Sequence, residues 1–102
     1  MSDQWSIEIL SGPRGAVYFL PDVRGAKIGD PLQSQVGDVV TWSNRTDMDL
    51  DLQAVDKTKF PNFDRSIPAG EQSDLFLITS LEFDYCCKTP VKCHKIVEAA
   101  IG

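Results

Sequence analysis

The chain has 102 residues, 42% of them hydrophobic, with ten Lys and Arg against fifteen Asp and Glu, three cysteines and one histidine. That is the size of one domain with a core of its own, and a net charge of −5 without a basic run argues against a binder of the phosphate backbone. One histidine excludes any site that needs two imidazoles from one chain, and no apolar stretch approaches the roughly 20 residues of a membrane helix.

Met1–Trp5 has neither a basic start nor an apolar run, so no secretory signal is visible; the expectation is a cytosolic protein or one whose leader has been removed. Trp5, Ile7 and Ile9 then alternate with Ser6 and Glu8, a half-buried strand closed by Ser11-Gly12-Pro13. Ala16–Leu20, ended by Pro21-Asp22, predicts a strand covered on both faces or lying at a sheet edge. After the punctuation of Gly29-Asp30-Pro31 and Gly37-Asp38, Val39–Ser43 is β-branched and aromatic and predicts a central strand. Asn44–Asp47 is a turn, and Leu50, Leu52 and Ala54 alternate with Asp51 and Gln53. From Asp56 to Gly70, with Pro61 and Pro68, the pattern breaks into a long crossing loop with room for one helical turn. Leu75–Ile78, Leu81–Cys87 and Lys95–Ile101 complete about seven short strands, the spacing of an all-β sandwich in a single domain spanning residues 1–102. Trp42, Phe76 and Phe83 sit in apolar strand patterns and belong to its core.

The soft donors other than methionine fall in one segment, Phe83 to Lys95. Alternation puts Phe83, Tyr85 and Cys87 on the inward face and Asp84 and Cys86 on the outward one, so the vicinal Cys86 and Cys87 should not bond to each other. Pro90 forces a bend that brings Cys93 and His94 back towards Cys87. Two thiolates and an imidazole, with Cys86 as a further sulfur, could bind Cu(I) or Zn(II). The same spacing allows a Cys87–Cys93 disulfide or plain buried thiols. Met48 is a weaker thioether candidate. Ser11, Ser66 and Thr89 have no base placed to make a nucleophile, so no enzyme is expected.

Gly37-Asp38-Val39-Val40-Thr41-Trp42-Ser43-Asn44-Arg45, Met48, Ile67-Pro68-Ala69-Gly70-Glu71 and Phe83-Asp84-Tyr85-Cys86-Cys87 together resemble the small blue-copper cupredoxins, most closely the amicyanin and plastocyanin branch. The resemblance covers the chain from Gly37 onward, with Trp5–Leu20 matching the first strands more loosely, and implies a Greek-key sandwich. In that family a type 1 copper is held by a His after the Asn-rich turn and by the Cys, His and Met of a C-x2-H-x2-M loop. On this chain Cys87 matches the cysteine, but the first His falls on Leu50, or on Asp49 with one residue of slippage. The second falls on Pro90 and the Met on Cys93. One ligand of four is kept, so the resemblance implies the frame of a copper carrier without its type 1 site.

Three functions follow from it. The altered site could bind Cu(I) through Cys87, Cys93 and His94, for copper handling or electron transfer with a redox or copper-handling protein partner. A Cys87–Cys93 disulfide could instead close a metal-free scaffold kept for interaction or structure, its cavity filled by Leu50 and Pro90. The same pair could act as a thiol-redox sensor. Ion pairs between Asp47, Asp49 and Asp51 and the cations Lys88, Lys92 and Lys95 could tie the two loops together in place of a metal. The family's usual export implies a periplasmic or extracellular location.

Overall fold

Two-residue alternation of apolar and polar side chains yields nine strands and one 3-10 turn at Pro13–Gly15 in this computed structural model, which describes residues 3–80, 82–88 and 92–98. The strands are β1 (Gln4–Ser11), β2 (Val17–Pro21), β3 (Leu32–Ser34), β4 (Val39–Asn44), β5 (Leu50–Ala54), β6 (Asp64–Ile67), β7 (Phe76–Leu77), β8 (Phe83–Cys87) and β9 (Lys92–Glu98). They form a four-stranded sheet in the order β2-β1-β4-β7 and a five-stranded sheet in the order β3-β9-β8-β5-β6. The pairs β1 with β4 and β3 with β9 are parallel, and the rest are antiparallel. The chain crosses between sheets after β2, β3, β4, β6 and β7, which makes a Greek-key β-sandwich.

The inward faces meet in one core. Ile7, Ile9, Phe19, Val40 and Trp42 come from the first sheet, and Leu32, Leu50, Leu52, Phe83, Tyr85 and Ile96 from the second. Trp42 meets Tyr85 edge-on at 5.1 Å and Phe63 at 5.6 Å between ring centroids, the geometry aromatic quadrupoles prefer. Trp42 and Phe83 are core residues as expected, and Phe76 packs against them. Among the described residues no helix is long and apolar enough to cross a membrane.

Nine strands replace the expected seven because two of them carry little alternation. β3 is only three residues long, with Leu32 and Ser34 buried and Gln33 exposed. β6 lies inside the segment expected to be a loop. Its inward position opposite Leu52 is held by Arg65, whose guanidinium carbon sits 5.2 Å from the Phe63 ring centroid. The charge hides the apolar period while the stem and the cation–π contact satisfy the burial. Where one helical turn was expected, the same segment has a single hydrogen-bonded turn, the Phe60 N–H donating to the Asp56 carbonyl at 3.2 Å. β2 is at a sheet edge, as one of its two readings required. β9 starts at Lys92 rather than Lys95, whereas Leu81, Pro90 and residues 99–102 lie outside the described residues.

Asp38 pins the start of both β1 and β4. Its carboxylate, 3% exposed, accepts hydrogen bonds from the Asp3 N–H (2.9 Å), the Trp5 Nε1–H (2.8 Å) and the Gln35 N–H (3.0 Å). Burial raises its pKa, but these three donors outweigh burial and hold the carboxyl below its usual value.

Candidate functional site

The candidate site is the β8–β9 hairpin, whose register decides what each donor can reach. Tyr85 is paired with His94, Cys86 with Cys93, and Cys87 with Lys92. Partners across an antiparallel ladder point to the same face, and neighbours along a strand point to opposite faces. Tyr85 and His94 are both buried, so the next rung, Cys86 and Cys93, faces solvent. There the two sulfurs form a disulfide, with Cα atoms 4.0 Å apart and a sequence separation of 7.

This corrects the expected Cys87–Cys93 pairing. Cys87 points into the core, as its alternation predicted, and is fully buried, so the sheet itself separates it from the outward Cys93. The chain returns as β9 antiparallel to β8, and that strand aligns Cys93 with Cys86. Period-two alternation read backwards from Ile96 carries this signal: it sets His94 inward and Cys93 outward.

The four sequence-predicted donors are therefore divided among three environments. Cys86 and Cys93 share the outer-face disulfide, Cys87 lies inside opposite Leu52, and His94 lies inside two rungs further along. Leu50, matched to the family's first histidine, is a core residue 1% exposed. Asp49 accepts the Ala69 N–H at 3.0 Å. Among the described residues no group of three or more His, Cys, Asp or Glu side chains is placed to hold a metal ion.

His94 is held from both ring nitrogens. Nε2 lies 2.6 Å from the Asp30 carbonyl oxygen, which can only accept, so Nε2 carries the proton. Nδ1 of the neutral ring then accepts the Tyr85 O–H at 3.0 Å. Burial lowers the His94 pKa, opposed by the Asp30 carbonyl and by the charges of Asp30 and Asp84. Burial also pushes the Tyr85 phenol well above its ordinary value. This pair fastens β9 to β8 from inside the sandwich, one rung from the covalent link outside, and holds the segment before β3 against β9.

Of the six charged residues expected to tie the acidic and basic loops, Asp51 and Lys88 are in contact, and not as an ion pair. Lys88 donates its backbone N–H to the Asp51 carbonyl at 3.0 Å, while its ammonium sits 4.0 Å from Asp64. Asp51 accepts the Ser66 hydroxyl at 2.6 Å. Such an exposed ion pair contributes at most about 1 kcal/mol. The firmer tie is Asn44, 1% exposed at the end of β4. Its Nδ2 donates to the Met48 and Ile67 carbonyls at 2.8 and 2.9 Å, and its Oδ1 accepts the Thr46 N–H at 3.0 Å. Met48 contributes its carbonyl here and packs its side chain against the core.

A groove of about 430 Å³ runs beside the disulfide, lined by Gly29, Pro31, Val55, Asp84, Cys93, His94 and Lys95. Cys93 opens onto it and Cys86 does not. The sequence held no signal for this groove, because residues 29–31 reach β9 only through the sheet order. No protein-family pattern matches the chain, and a search of curated proteins finds none similar to it.

Proposed function

We propose that this chain is a cupredoxin-like β-sandwich that works without a type 1 copper, as an interaction or structural scaffold whose β8–β9 hairpin is locked by the Cys86–Cys93 disulfide. The observation that carries this reading is the division of the donor set: a Cu(I) site needs Cys93 as a thiolate beside Cys87, and Cys93 is bonded to Cys86 on the other side of the sheet. The family relation draws further support from the motif positions. Gly37–Arg45 runs into and through the central β4, and the tyrosine two residues before Cys87 is a core residue. A persistent disulfide fits an oxidising compartment, in line with the location the resemblance implies.

Copper titration tests the proposal. The oxidised protein should take up no Cu(I) against a competing chelator and should show no intense visible charge-transfer band with Cu(II). Tight uptake that disappears in Cys87→Ser would overturn it. A second reading, a thiol–disulfide responsive protein, is favoured by one specific observation: Cys93 is solvent-exposed and borders the groove.

A further inference from the structure

We propose that Cys93 is a thiol-modification site: a zwitterionic amino-acid thiol of the cysteine type, seated in the groove beside β9, attacks the Cys93 sulfur and leaves Cys86 as the departing thiolate. This inference rests on the second reading above, that the disulfide is exchangeable.

Three observations point to it. Displacement at a disulfide sulfur requires approach opposite the leaving sulfur. For Cys86 that direction crosses the sheet face over Gln53, its partner on β5. For Cys93 it leads past the outer side of β9, which β3 covers only from Ile96 onward. The groove occupies that uncovered edge, and it is lined by Cys93 and not by Cys86. Exposure agrees, since Cys93 is exposed and Cys86 only half-buried.

The third observation concerns charge. Asp84 and Lys95 face each other across β8 and β9, one rung beyond the inward Tyr85–His94 pair, and both line the groove. Asp84 Oδ1 has no hydrogen-bond partner among the described residues, and the Asp84 side chain lines the groove together with Lys95. An α-ammonium at the groove-facing side of the Asp84 carboxylate and an α-carboxylate at Lys95 would leave the thiol of the same molecule at Cys93.

The step balances. The incoming thiolate forms a bond to Cys93 Sγ while the Cys86–Cys93 bond breaks, and its electron pair leaves on Cys86 Sγ, which takes a proton from water. A second thiolate then attacks the sulfur of the small molecule, releasing Cys93 as thiolate and the small symmetric disulfide. Two thiols are oxidised and the protein gains two electrons.

The test treats the oxidised full chain with cysteine, 3-mercaptopropionate, cysteamine or 2-mercaptoethanol. Reactions are quenched in acid, alkylated with N-ethylmaleimide and mapped by peptide mass. Dividing each rate by that of the urea-unfolded chain cancels the intrinsic nucleophilicity of each thiol. The expected adduct is on Cys93 with maleimide on Cys86. The native-to-unfolded ratio for cysteine should exceed that for mercaptoethanol about fourfold, two exposed charge contacts of about twofold each. Asp84→Asn and Lys95→Gln should each remove about half of that preference while the far-ultraviolet spectrum stays unchanged. An adduct mainly on Cys86 overturns the assignment of the attacked sulfur. Equal ratios for all four thiols overturn the zwitterion site. If only the unfolded chain reacts, the exchangeable-disulfide reading itself fails.

Discussion

Replacing Cys86 and Cys93 together by serine isolates what the hairpin lock contributes. Both side chains lie on the solvent face of the five-stranded sheet, so the hydroxyls remain hydratable and core packing is untouched. The loss is then the closure entropy that the cross-link removes from the unfolded chain. With a sequence separation of 7, the chain-entropy relation gives about 2.4 kcal/mol at 25 °C. That is a modest value, because a short loop is already partly closed in the unfolded ensemble. With a urea slope of roughly 1–2 kcal/mol/M for a small domain, the midpoint should fall by about 1.2–2.4 M. Equilibrium urea unfolding followed by tryptophan fluorescence measures it, and the reduced wild-type protein should coincide with the double variant. A midpoint within about 0.3 M of the oxidised wild type would refute the reasoning, since the covalent rung would then constrain nothing in the unfolded chain that is not constrained without it.

Three further outcomes follow from groups with fixed partners. Asp38→Ala strands the three donors that now meet its carboxylate and should cost about 2–4 kcal/mol in urea unfolding; Asp38→Asn, which keeps an acceptor, should cost less. Asn44→Asp turns the donor that serves the Met48 and Ile67 carbonyls into an acceptor and should cost about 3 kcal/mol or more at neutral pH, partly recovered at acid pH where the carboxyl carries a proton. Because burial lowers the folded-state pKa of His94, the unfolded chain binds its proton first. Stability should be intact above about pH 6.5 and decline as pH falls below it towards the folded-state value. His94→Gln should flatten the slope of the urea midpoint between about pH 6.5 and 5, a range in which the carboxyl of Asp38, itself held low, does not yet titrate.

The strands with a clear two-residue period were legible in the sequence because burial of one sheet face imposes that period locally: Trp5–Ile9, Val39–Ser43 and Leu50–Ala54 formed as read, and of Leu81–Cys87 the strand formed over Phe83–Cys87. The same alternation gave the inward Cys87 and outward Cys86 before any fold was known. β6 was not legible, since its inward position is taken by Arg65, and a charge whose guanidinium sits over the Phe63 and Phe76 rings looks polar in one dimension. Cysteine pairing and the groove belong to the tertiary structure. Which sulfur meets Cys93 depends on the hairpin register, a relation between two strands that one strand's period does not contain. That register puts Tyr85 against His94 inside the core, and once those two face inward the sulfurs beside them must meet outside it. The neighbour of β9 depends on the sheet order, which places residues 29–31 and β3 beside a strand more than sixty residues away in sequence. Sequence determined which face each side chain takes; only the folded sheet decided which faces come together.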